Sequence, residues 1–433
     1  MTGIKADPAW RASERYARAA LSFIAEPADL ALGAALRVSG ARRVLDCVLS
    51  DRDANVLAAC WPPAAEAGRA EPGSAEPGGA EVGGAEVAGA EVGCTEVGGP
   101  DRIEVRLTAT AARRTVDGMR SRRAALPSPA RIEAWQRDGY RLVCPGEPEW
   151  PTQLDDLGDA RPIVLWVRGT ADLRFACLRS VSIVGSRAAT SYGSVVGTEL
   201  AADVAARAFT VVSGGAYGID ACAHRGALSA GGSTVAVLAS GLTFGYPKGH
   251  FELFAAISQT GVLVSERPPD HAPTRPGFLV RNRLIAALSR GTVVVEAALR
   301  SGALNTARHA TELNRPIMAV PGPVTSTQSA GCHELIRGSA AVCVTGANDV
   351  VEVVGPIGED LGLAEFGPAV PAEQLDPVTA SVLAVLSIRT GRGPATIAML
   401  AGVDLDTAMR CLGLLAAAGY AERCEKGWRT RRR

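Results

Sequence analysis

The residues that invite a chemical reading sit at the ends of short apolar runs. "VSIVGSRAATSYG" sets Gly185, Ser186 and Arg187 between a strand pattern and a helix pattern. Glycine lets a ligand approach the backbone, serine offers a hydroxyl, and the free amides of a helix N-terminus favour an anion such as phosphate. Arg187 supplies a bidentate partner for that anion, unless it pairs with an acidic neighbour. The spacing is not GxGxxG, which weakens a dinucleotide reading. "VVSGGAYGIDACAHRGAL" repeats the arrangement: Ser213, Gly214, Gly215 and Gly218 form a loop whose amides can face a phosphate. Asp220 is placed to cap the following helix, and His224, one turn on, reads as structural more readily than catalytic.

The third run ends in "LASGLTFGYPKGHFELF". Lys248 is conspicuous because only Lys5, Lys248 and Lys426 occur in the chain, arginine supplying every other basic side chain. Tyr246, Pro247, Lys248 and Phe251 lie in a loop between a strand and a helix. A flexible cation among aromatic faces suits single-stranded nucleic acid, lysine meeting phosphate while rings stack on bases. The same rings would also serve to close the loop against the sheet. Further on, "FLVRNRLIAALSRGTVVVEAALRSGALNTA" places Arg281, Asn282 and Arg283 at a helix start and Glu296, Ser301, Gly302 and Thr306 beyond a strand. The two arginines either bind phosphate or hold Glu296 in a buried ion pair. In "AVPGPVTSTQSAGCHELIRGSA", Pro321, Gly322 and Pro323 favour a fixed turn.

The elements that must position these groups are legible as pattern. "PIVLWVRG", "SVSIVGS", "FTVVSGG", "TVAVLASG", "GVLVSE", "GTVVVEA", "PIMAVPG" and "AVCVTG" are Val- and Ile-rich runs, several without polar alternation, as strands buried on both faces require. Helical patterns such as "SVVGTELAADVAARA", "FELFAAISQ" and "NTARHATEL" lie between them. The alternation predicts an α/β fold with a doubly wound, mostly parallel sheet, whose ligand crevice lies beyond the carboxyl ends of the strands. Upstream, residues 10–50 read as short amphipathic helices, followed at about 64–100 by an AE pair recurring every fifth residue amid glycine, which cannot bury a core and reads as a disordered insertion. Residues 351–374 read as a linker. Three helical patterns and a short basic hairpin over 375–433 follow in the order of a winged helix, whose third helix carries few basic residues and fits a protein-binding module as well as a base reader. The expected domains are therefore 1–134, 135–350 and 375–433.

Composition narrows the function. The 433 residues carry formal net charge +0, so any basic site is local. Ten cysteines without a CxxC pair and five histidines argue against a zinc ribbon or thioredoxin-like site and fit reduced cytosolic thiols. There is no export signal in the first residues and no apolar stretch long enough to span a bilayer, so a cytoplasmic protein is expected. Walker A, HExxH, GxSxG and paired glycosidase-type carboxylates are missing, and no cofactor or metal is expected.

Taken in order, "IVGSRAATSYG", "VVSGGAYGIDACAHRGAL", "TVAVLASGLTFGYPK", "GVLVSERPP", "RNRLIAALS", "VVVEAALRSGALNTA", "AVPG" and "ELIRGSA" closely resemble the DNA-processing protein A family, DprA or Smf, over about residues 135–350. The resemblance implies an extended Rossmann-like domain that binds single-stranded DNA, forms a homodimer and loads RecA recombinase in natural transformation, without catalysis. It implies that Arg187 and Lys248 contact DNA phosphates and that Phe251 meets a base. Gly185, Ser186, Ser213, Gly214, Gly215, Gly218 and the Arg281, Asn282, Arg283 segment are then expected to line the same crevice. Two departures stand out: Tyr217 occupies a position where the family commonly has arginine, and His333 one where asparagine is usual. A rival reading is a nucleotide-binding or nucleoside monophosphate phosphoribohydrolase-like enzyme, although the PGGxGTxxE pattern of those enzymes is not present. A third is a scaffold acting through its outer surfaces.

Overall fold

In the computed structural model, residues 13–50, 109–355, 375–387, 390–424 and 427–431 are described. The AE-repeat segment and residues 356–374 lie outside them. The chain divides into two compact units, 1–362 and 363–433.

The first unit opens with α1 (Glu14–Ile24) and α2 (Leu30–Leu49). Ser13 and Asp29 cap them by accepting from the amides of Tyr16 and Leu32. The α2 segment is two helices broken at Gly40, whose φ of 76° leaves the amides of Ala41 and Arg42 free to donate to the Glu14 carboxylate. Next come α3 (Ala109–Ser121), α4 (Pro129–Arg137), β1 (Arg141–Val143), β2 (Leu165–Gly169), α5 (Leu173–Leu178), β3 (Ser180–Val184), α6 (Ser191–Ala206), β4 (Thr210–Ser213) and α7 (Ile219–Ser229). The unit continues with β5 (Thr234–Val237), α8 (Phe251–Thr260), β6 (Val262–Ser265), α9 (Arg275–Leu288), β7 (Thr292–Val294), α10 (Gly302–Glu312), β8 (Ile317–Ala319), α11 (Ala330–Arg337), β9 (Val342–Cys343) and α12 (Ala347–Val354). Helix α12 reaches Val354, so the expected linker start at 351 falls inside a helix.

Nine strands form one sheet in the order β1-β2-β6-β5-β4-β3-β7-β8-β9. From β6 to β9 every pairing is parallel, and β2 and β1 add antiparallel strands at one edge. The order reverses beside β3, which has β4 on one side and β7 on the other. Alternate residues of the central strands serve two cores: Val184, Val212 and Val294 lie in one cluster, and Ile183, Val211 and Val293 in the other. That is why these runs lack polar alternation: both faces are covered by helices. The eight apolar runs correspond to β2 through β9, and the short β1, within "GYRLVCPG", escaped the pattern reading.

The N-terminal helices share a core with the antiparallel edge. Phe23 stacks on Trp135 at 5.7 Å, Trp135 meets Trp166 edge-on at 5.7 Å, and the Trp166 indole donates to Ser22 Oγ at 3.2 Å. Full burial of an indole such as Trp166 contributes about 4 kcal/mol at the usual area coefficient, which favours this docking.

The second unit comprises α13 (Pro377–Ala384), α14 (Pro394–Ala401), α15 (Leu405–Ala417) and an antiparallel hairpin of β10 (Ala421–Cys424) and β11 (Gly427–Thr430), around a core that includes Val382, Ile397, Leu412 and Leu415. Among the described residues no helix is long and apolar enough to cross a membrane, and no group of three or more metal-ligating side chains is gathered.

Candidate nucleic-acid interface

The loops after β3, β4 and β5 meet at one end of the sheet. Their register is set below the surface. Ser186 donates its amide to the Glu296 carbonyl at 2.7 Å, and its own carbonyl accepts from the Ile219 amide at 3.1 Å, tying the β3 loop to both β7 and α7. Gly218 sits at the cap of α7 with φ 77°, and a Cβ there would collide with the Ser186 carbonyl. Only glycine satisfies both the left-handed backbone and that approach. The resulting turn holds Arg187 out from the sheet, exposed.

Arg187 lies over the ring of Phe278 at 4.8 Å, and Phe278 meets Tyr246 edge-on at 5.6 Å. The Tyr246–Pro247 peptide is cis, and Lys248 begins a single 3-10 turn, Lys248–His250, that feeds α8. Lys248 is exposed, and Phe251, the first residue of α8, is 73% exposed. A strip therefore runs Arg187, Phe278, Tyr246, Lys248, Phe251, two cations interleaved with three rings. Neither Arg187 nor Lys248 forms an ion pair with a described residue.

Beside the strip lies a cleft of about 440 Å³, lined by Arg187, Tyr217, Gly218, Arg225, Gly249 and His250 among others. Its floor is rigid: His250 is buried, with Nδ1 at 3.0 Å from the Gly215 carbonyl, between Tyr217 and Phe254 at ring distances of 4.7 and 6.1 Å.

Several expected contacts lie behind this surface instead. Ser213 is fully buried and donates to the Ile183 carbonyl at 2.7 Å, so its hydroxyl faces the core. Gly214 and Gly215 are buried as well. A Cβ on Gly214 would strike the Arg281 guanidinium, and one on Gly215 the Phe254 ring. Gly185 packs against Ile219 and the Glu296 carbonyl, and Ser186 is 9% exposed with its Oγ accepting from the Ala188 amide at 3.1 Å. Arg281 donates to the carbonyls of Gly214 at 2.6 Å and of Val237. Asn282 donates to Gly302 O at 3.2 Å and Asn305 Oδ1 at 3.1 Å. Arg283 forms a bidentate pair with Glu266 at 2.8 and 2.6 Å. The buried ion pair thus uses Glu266, not Glu296. Glu296 instead accepts from the Thr190 amide at 2.9 Å and hydroxyl at 2.6 Å.

The titratable groups follow the same division. Burial pushes the Asp220 carboxyl up, against the opposing pull of Arg281 and the amide of Ala216. Gly218, not Asp220, takes the helix-cap position; Asp220 bonds back to Ala216 from the first turn. Burial lowers Arg281 to about 10, with Asp220 resisting, which leaves the guanidinium charged at neutral pH. His224 is fully buried against Thr234 Oγ1 at 2.8 Å and is lowered to about 3 by desolvation, so it is neutral and structural.

Two residues of the surface were not singled out from sequence. Phe278 precedes the Arg281 segment by three positions, and an aromatic at a helix start beside two cations is the signal that would have found it. Arg225 falls seven residues after Gly218, so the helical period alone places it on the face that carries Gly218.

With this geometry in hand, comparison with known proteins identifies the fold and its relatives. The sequence pattern of the family described as DNA recombination-mediator protein A matches residues 141–355. A Mycobacterium tuberculosis protein described as a putative DNA processing protein DprA is 46% identical over 334 residues, spanning 74% of this chain and 82% of the relative. Protein Smf of Escherichia coli is 40% identical over 220 residues, 50% of this chain and 58% of the relative. The X-ray structure of DNA processing protein A from Streptococcus pneumoniae superposes with a TM-score of 0.50 at 31% identity, covering 57% of this chain and 87% of that one. The chain belongs to the DprA/Smf family of DNA-processing proteins.

Proposed function

We propose that the chain binds single-stranded DNA along the strip from Arg187 to Phe251 and acts as a recombination mediator without catalysing a reaction. The observation that carries this reading is the interleaving itself: two exposed cations that form no ion pair with a described residue, set among the half-buried Phe278 and the exposed Tyr246 and Phe251, at the carboxyl ends of β3 and β5. Phosphates meet Arg187 and Lys248, while bases stack on Phe251 and its neighbours, a mode indifferent to sequence. Gly185, Ser186, Ser213, Gly214, Gly215, Arg281, Asn282 and Arg283 act one layer deeper, holding the loops that present those groups.

The family resemblance extends the proposal to a cytoplasmic homodimer that passes the strand to RecA recombinase in natural transformation or general recombination. It also makes 375–433 a winged helix, and 1–134 and 135–350 domains that pack together within one compact unit. A hydrolytic role is less well supported, because the best-placed carboxylate, Glu296, is engaged by Thr190.

Fluorescence anisotropy of labelled oligo-dT across a salt series tests the reading. Wild type should bind single strands well above duplex, and Lys248→Ala should lose affinity with a salt slope shallower by about 0.7, one phosphate's worth on a single strand. Equal binding to duplex, or an unchanged slope in the variant, would remove the strip from the account.

A further inference from the structure

The cleft beside the strip has a construction of its own. Gly218, Ala221, Cys222 and Arg225 all line it and are spaced three, four and seven residues apart, one face of α7. The first three carry little or no side chain, so the wall is flat until the exposed Arg225 guanidinium. The opposite helix is drawn in close: a Cβ on Gly226 would strike the Thr198 carbonyl, which fixes the separation of α6 and α7 and brings Ser194 to the cleft. At the other side Tyr217 stands over Gly249, its hydroxyl 2.9 Å from where a Cβ on Gly249 would sit, and edge-on to His250. Tyr217 remains 52% exposed although its ring is anchored. The lining includes two arginines and no carboxylate, and Arg225 forms no ion pair with a described residue.

We infer that this cleft seats one nucleotide of the bound strand, its base stacked on Tyr217 and its phosphate held by Arg225 together with Arg187. An anchored, half-exposed phenol ring is a stacking platform that loses little entropy on binding. Two cations in a lining that contains no carboxylate favour a phosphate, and Ser194 adds a hydroxyl. A volume of about 440 Å³ accommodates a single nucleotide. The inference rests on the single-strand reading above and shares Arg187 with the strip, but its two tested side chains, Tyr217 and Arg225, lie outside it, so Tyr217 is a specificity-determining contact that reads the presence of a base.

The test uses the full chain with three probes: oligo-dT, an oligonucleotide of the same length and charge made wholly of abasic units, and free dTMP. Tyr217→Ala should weaken oligo-dT binding about tenfold and leave the abasic strand unaffected, while Tyr217→Phe, which keeps the ring, stays near wild type. Arg225→Gln should weaken both strands and make the salt slope shallower by about 0.7. Equal loss by Tyr217→Ala on both strands would make the ring merely structural and overturn the inference, as would an unchanged slope in Arg225→Gln. Tight binding of dTMP that resists displacement by oligo-dT would reassign the cleft to free nucleotides. If wild type binds and depends on Lys248 while both cleft variants match it, the cleft inference alone fails. If wild type binds no strand, both readings fall.

Discussion

Arg187 and Arg283 make the most instructive pair of sites. Both are arginines next to a small polar residue and both were candidates for phosphate; Arg187 follows β3, whereas Arg283 lies well inside α9 and not at the helix start expected from sequence. Yet Arg187 is exposed over an aromatic ring, whereas Arg283 is 4% exposed and locked by a bidentate carboxylate. The same contrast separates Lys248 and Arg225 from Arg281. One layer of charge is presented to solvent, and a second layer just beneath is consumed by the protein's own acceptors. Net neutrality therefore says little about binding here, because Arg281 and Arg283 are consumed by internal acceptors while Arg187 and Arg225 form no ion pair with a described residue.

This comparison predicts opposite consequences for similar substitutions. Arg283→Ala should destabilise the fold by about 3–5 kcal/mol in urea denaturation, because Glu266 is left as a buried unpaired charge. Arg187→Ala should change stability by only about 0.5 kcal/mol. A small loss for Arg283→Ala would break the distinction between the layers.

Acidification probes the buried layer next. His224 is lowered to about 3 in the fold and has its ordinary value of about 6.5 when unfolded. Between those values the unfolded chain binds the proton and the folded one does not. Its contribution is therefore complete above about pH 6.5 and is lost as pH falls toward 3, amounting to about 2 kcal/mol by pH 5. His224→Gln should flatten that part of the stability–pH curve; an unaltered curve would mean that the imidazole is hydrated.

Smaller effects sharpen the surface layer. Lys248→Ala should weaken oligo-dT binding about tenfold, roughly 1.4 kcal/mol, with no change in urea midpoint. Phe278→Ala should cost about threefold in the same anisotropy assay, since it removes the ring that supports Arg187 without removing a charge. If Phe278→Ala matched Lys248→Ala and also lowered stability, Phe278 would belong to the core and not to the strip.

Much of the fold was readable in advance. Apolar runs without alternation identified β2 to β9, because strands covered on both faces have no polar side to show, while three-residue β1 offered too little pattern. The positions of Arg187, Lys248 and Phe251 at a strand-end surface were also legible, since loops after parallel strands open at one edge. The AE-repeat expectation falls outside the described residues.

By itself, then, the sequence determined the alternation of strands and helices, the glycine turns and the location of the charged loops, all of which follow from local periodicity and backbone sterics. Only the tertiary structure decided which arginines face water. Arg281 and Arg283 leave α9 on different sides, Arg281 toward Gly214 and Val237 and Arg283 toward Glu266, partners 67, 44 and 17 positions away in the chain. No local pattern encodes such distant acceptors, because burial and pairing depend on strand order and helix rotation. The same is true of Phe278 under Arg187 and of the cleft between Tyr217 and Arg225, which exist only once the loops after β3, β4 and β5 have been brought to one end of the sheet.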